Sequence, residues 1–133
     1  MVGRIFGCLV ICGLIASASL QAHHSLAGVY DMKAEKELKG AVESIKFSNP
    51  HGSLTIKVKG SDGADKSWVF TLGSATGLAQ RGVGPTGPNA LRAGDEISVK
   101  FIPARNGSPL GFLKSVTYPD GHVIVVSAGN AND

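Results

Sequence analysis

Histidine is the residue type whose spacing in this chain invites chemistry. His23 and His24 are adjacent, His51 follows an Asn49-Pro50 corner, and His122 comes after a Pro119-Asp120-Gly121 turn. Imidazole is the commonest side-chain metal ligand. In a chain beginning at His23, that residue offers its α-amino nitrogen and its ring to one ion. A second imidazole then completes a T-shaped, three-nitrogen site. His51 is the first candidate, because proline restricts the backbone beside it. His24 is the alternative, through the amine, its own amide and its ring. An all-nitrogen set favours Cu(II) among the first-row ions. The amine proton, ordinarily lost at about pH 7.7–8.0, would have to be displaced by the metal. The blander account has His51 bonding a turn carbonyl, His23 and His24 incidental, and His122 solvated on a hairpin.

Whether a chain starts at His23 depends on the segment before it. Arg4 gives the first residues one positive charge, an apolar run spans Ile5 to Ile15, and Ala16-Ser17-Ala18-Ser19-Leu20-Gln21-Ala22 is small and polar. That order predicts a cleaved export signal over residues 1–22. The apolar run is short of the ~20 residues a membrane span needs, so no stable span is expected after processing. Cutting after Ala18 suits the small-x-small rule best. Cutting after Ala22 exposes His23. Ile11 before Cys12 argues against a lipoprotein cut. The expected destination is the periplasm or the exterior.

Both cysteines, Cys8 and Cys12, fall in the signal, so the mature chain has no disulfide, cysteine-ligated zinc or cysteine nucleophile. Taking Arg4 from 13 basic residues leaves 12 against 10 acids, a net charge of +2. The basic residues alternate with acids, as in Lys33, Glu35, Lys36, Glu37 and Lys39, which excludes a nucleic-acid stripe. Catalytic signatures are missing too. There is no Gly-x-Ser-x-Gly elbow, no carboxylate pair set across a cleft, and no Lys-Ser/Thr ending to the glycine loop at residues 82–88. A non-enzymatic binding domain is the expectation.

Two-residue alternation must supply the scaffold. Residues 23–36 show no period and read as an N-terminal arm. From Leu38, Gly40 and Val42 the alternation begins, and it slips to Ile45 and Phe47, which predicts a bulge near Glu43-Ser44. Leu54, Ile56 and Val58 mark a second strand; Ser61-Asp62-Gly63 turns into a third with Trp68, Phe70 and Leu72. Leu78 to Arg81 predicts a short helix capped by Ser74 or Thr76. After the Gly/Pro-rich loop, expected to be the most mobile segment, Ile97, Val99 and Phe101 define a fourth strand. Arg105-Asn106-Gly107-Ser108 is a hairpin signal leading to a fifth strand near Leu113–Tyr118, with a last strand at His122–Val126. This order predicts an all-β domain over residues 37–127 and a frayed tail at 128–133. The fold is a five- to six-stranded barrel of the oligonucleotide/oligosaccharide-binding (OB-fold-like) type, with one short helix between strands three and four. An open sandwich also fits.

Such barrels bind extended ligands across strands two and three. Lys57, Lys59 and Lys66 lie there as candidate anion contacts, and Trp68 and Phe70 are expected in the core. A protein or glycan partner outside the cytoplasm, bound on that strand face or on the glycine loop at residues 82–88, is therefore the rival reading.

The motifs carry a resemblance as well. They are His23-His24-Ser25, Asn49-Pro50-His51, Trp68-Val69-Phe70 with Leu72-Gly73-Ser74, Gly77-Leu78, and Leu91-Arg92-Ala93-Gly94-Asp95. Their spacing resembles a family of small exported bacterial proteins, mostly Gram-negative, of unknown function. The resemblance implies export and a compact β fold but no reaction. The chain departs from it at Val83, where a Trp is expected, and at Leu26, where an aromatic is expected.

Overall fold

The computed structural model describes residues 26–127. After a helical turn at residues 26–29, six strands and a further short helix follow in order: β1 (Lys36–Lys46), β2 (Ser53–Lys59), β3 (Asp65–Thr71), α1 (Ala75–Gln80), β4 (Glu96–Pro103), β5 (Leu110–Thr117) and β6 (Val123–Val125). Antiparallel pairing runs β3-β2-β1-β4-β5-β6. A parallel contact, Val69 to Leu110 through Thr71 to Phe112, joins β3 to β5 and closes β1 to β5 into a barrel. That closure decides for the barrel and against the sandwich. It also explains why β5 begins at Leu110 and not near Leu113: its first three residues are the ones that pair with β3.

The expected phase slip is a register shift between Val42 and Ser44. It lets β1 keep Val42 inside while bending from β4 onto β2. Two glycines permit the tight geometry. A Cβ on Gly40 would run into the Lys57 carbonyl, and one on Gly111 would run into the Phe101 ring and lie 3.0 Å from Phe70 Cδ1. Any larger residue at either site would force the strands apart.

Inside, Leu54, Ile56, Phe70, Ile97, Val99, Phe101 and Leu113 are fully buried. Phe70 and Phe101 meet edge-on at 4.9 Å, and Trp68 lies 5.5 Å from Phe101, an arrangement aromatic quadrupoles favour. A second, smaller cluster sits outside the barrel wall: Tyr30, Ile102 and Phe112, with Leu26, Met32 and Leu110 against them. The segment before β1 is thus fastened to β4 and β5.

Helix α1 starts at Ser74, whose Oγ accepts from the Gly77 N–H at 3.0 Å. A cap of this kind supplies a partner for an otherwise unpaired amide. Ser74→Ala is expected to cost about 1 kcal/mol, read as a lower urea midpoint with an unchanged slope. Leu78 then plugs one end of the core, together with Val83, which is 4% exposed. The position where the family resemblance leads one to expect Trp is therefore interior. Among the described residues no helix is long and apolar enough to cross a membrane.

Candidate functional site

His51 occupies the loop between β1 and β2, and that loop is tied to the end of β3. The Gly52 N–H donates to Gly73 O at 3.2 Å, and the Leu72 N–H donates to Gly52 O at 3.0 Å. Ser48 Oγ donates to the His51 carbonyl at 2.6 Å. The Asn49-Pro50 peptide is cis. On this frame the His51 ring is solvent-exposed and its Nδ1 lies 3.3 Å from the Leu72 carbonyl oxygen. A carbonyl can only accept, so Nδ1 carries a proton, and in the neutral form of the ring Nε2 is the nitrogen with the lone pair.

The segment that follows His23, His24 and Ser25 is docked on the end of β4 and reaches the end of β3. The Tyr30 N–H donates to Leu26 O at 2.8 Å, Arg105 Nε donates to Ala27 O at 2.7 Å, and Tyr30 bridges Ala104. The Tyr30 hydroxyl meets Thr71 Oγ1 at 2.7 Å. Thr71 adjoins Leu72, the residue that holds His51. The arm and the histidine loop are thereby anchored to neighbouring residues of one strand end. His23 and His24 themselves lie outside the described residues. Among those that are described, no group of three or more His, Cys, Asp or Glu is placed to hold a metal ion. A site of three such ligands that includes His51 would need at least one donor from outside the described residues, where His23 and His24 lie.

The three lysines do not form one cluster. Lys57 and Lys59 share the outer face with Lys39, Asp65 and Glu96 around a shallow hollow of about 430 Å³. Lys57 lies 3.6 Å from Glu43, and Lys59 lies 2.7 Å from Asp65. The hydrogen bond from Lys59 holds the Asp65 carboxyl below its ordinary range. Lys66 pairs across from Val58, in the same alternation as Trp68 and Phe70, and so takes the opposite face. Its even number among even-numbered core residues was the signal for this. Exposed ion pairs of this kind contribute little stability.

One arrangement has only half a signature in the sequence. His122 is half-buried, with Nδ1 2.5 Å from Asp120 Oδ1 and Nε2 3.1 Å from Asn89 Oδ1. The Asp120 carboxylate, two residues back, also accepts the His122 backbone N–H at 3.1 Å. That local turn is legible in Pro-Asp-Gly. The contact to Asn89, 33 residues away in the chain, is not.

Residues 10–114 match the model of a family of unknown function, DUF6152. The chain belongs to that family. The matched span runs from the apolar N-terminal stretch through the first five residues of β5, and so takes in both the histidine loop and the arm. Neither the curated proteins nor the solved structures yield a match. Membership in DUF6152 brings no reaction, ligand or partner with it.

Proposed function

We propose that this family member is an exported, non-enzymatic binding domain. Processed after Ala22, it holds one copper ion through the His23 amine and ring, the His51 ring and, as an alternative donor, His24. The observation that carries this reading is the Leu72 carbonyl on His51 Nδ1. Metal-ligating histidines characteristically donate their other ring N–H to a carbonyl or carboxylate, which fixes tautomer and ring orientation. A second support is the tether of the arm, through Tyr30, to the residue next to Leu72.

The test is Cu(II) titration of the processed chain, after mass spectrometry of its first residue. One tight equivalent is expected, and His51→Ala should weaken it at least ~10-fold, about 1.4 kcal/mol. An unchanged affinity in that variant removes His51 from the site. A mature chain starting at Ser19 removes the amine and the proposal with it.

The rival reading is an extracytoplasmic protein- or glycan-interaction module with incidental histidines. Its specific support is on β6, where Val123 and Val125 are 54% and 55% exposed on a short edge strand. Such an edge can take up an extended partner segment. Under this reading, variants at His23 and His51 keep their partner while Val125→Glu loses it.

A further inference from the structure

The Gly82–Asn89 segment is rich in Gly and Pro, and three contacts fasten it to the barrel. The Val83 N–H donates to Leu78 O at 2.9 Å, which lets the Val83 side chain close the core beside Leu78 and Leu91. The Tyr118 hydroxyl donates to the Asn89 carbonyl at 2.7 Å. The Asn89 side chain is the third contact, and its orientation is decided by its own donor. Asn89 Nδ2 donates to Gly82 O at 3.2 Å, so Oδ1 is the atom turned towards His122 Nε2.

The His122 ring therefore faces an acceptor on each side: the Asp120 carboxylate at Nδ1 and the Asn89 amide oxygen at Nε2. A neutral imidazole has one N–H and one lone pair. Whichever tautomer it took, the lone pair would point at an oxygen. Only the imidazolium donates to both. The Tyr118 ring stacks on it at 4.2 Å and 11°, and an aromatic face also favours a cation. Among the described residues, the ring's hydrogen-bond and stacking partners include Asp120, Asn89 and Tyr118. Burial, and then the Asp95 charge, push the Tyr118 phenol up from its ordinary value, so it stays a neutral donor to Asn89. Hydrogen bonds from His122, the backbone N–H first and then the ring, hold Asp120 below its ordinary value, so it stays a carboxylate in weak acid.

We propose that doubly protonated His122 latches the Gly82–Asn89 segment onto the β5–β6 hairpin, and that loss of one ring proton loosens the segment. The sign follows from the donors. While both ring nitrogens carry protons, both bonds are made. Loss of either proton replaces one of them by a lone pair facing an oxygen. Tyr118 still holds the Asn89 carbonyl, so the segment loosens without detaching. What is exposed is the end of the core that Val83 covers.

Amide hydrogen exchange, corrected for the intrinsic rate at each pH, reads this directly. Across the pH interval in which ring ¹⁵N shifts show His122 losing one proton, protection of Val83 and Ala90, whose N–H groups donate to Leu78 O and Gly87 O, should fall roughly tenfold. That is the scale of one hydrogen bond to a charged group. Ile56 and Val99 in the barrel should not change. In His122→Gln the side-chain amide keeps a donor for Asn89 but has no titrating proton, so the pH dependence should vanish. Equal dependence in His122→Gln, or none in the parent, overturns the latch. A parent ring whose ¹⁵N shifts show a single N–H at about pH 5.5 overturns it independently, whether or not the variant folds.

Discussion

Phe101→Ala is expected to destabilise the barrel by about 3–5 kcal/mol, the usual cost of removing a buried aromatic ring. Phe101 has no exposed surface and stands between Phe70 at 4.9 Å and Trp68 at 5.5 Å. Its ring also fills the space that Gly111 leaves empty at the β3–β5 seam. Truncation would remove the transfer free energy and leave a cavity where the parallel pair closes the barrel. Neighbouring side chains have little freedom to refill it, because Phe70 is held by β2 and by β5. Domains of this size have only about 5–15 kcal/mol to lose. Urea unfolding should show a large fall in midpoint with the slope kept. A loss below ~1 kcal/mol would mean that the core collapses onto the vacancy, and that Phe101 does not support the seam.

The second large effect concerns the chain start. A protein beginning at His23 and one that keeps Gln21-Ala22 ahead of it differ in one donor, because an amide nitrogen replaces the amine. Removing a direct ligand should cost at least the ~100-fold at the upper end for outer-shell partners, or about 2.7 kcal/mol. Paired Cu(II) titrations of the two forms would measure it. Affinity in the amine-bearing form should also rise with pH until the amine is deprotonated, since copper then displaces no proton. Equal affinities would sink the amine as a ligand and leave, at most, imidazole binding.

Much of the scaffold was legible because strand periodicity is local. The even positions Leu54, Ile56, Trp68 and Phe70 announced one buried face. The slip between Val42 and Ile45 announced a bulge. Ser74 and Thr76 were both candidate helix starts, and Ser74 is the residue that caps α1. Three residues of β5 were missed, since Leu110 to Phe112 follow Pro109 and carry a Gly at the core-facing position. Only the aromatic rings on β3 and β4 show why that Gly is needed. Of the candidate site, the types and spacing of the histidines were readable. The Leu72 carbonyl behind His51 was not, because a backbone acceptor has no sequence signature.

The sequence by itself determined which residues face inward, where the strands turn, and that all thiols lie at the N-terminus. The first two follow from neighbours two to four positions apart, and the third from the positions of Cys8 and Cys12. Tertiary structure alone decided the rest: that β3 meets β5 and closes the barrel, that Tyr30 ties the arm to Thr71 beside the His51 loop, and that Asn89 meets His122. Those pairs are separated by roughly 30–40 residues of chain. Their geometry arises from strand twist and from the fit of buried rings, which no local pattern encodes.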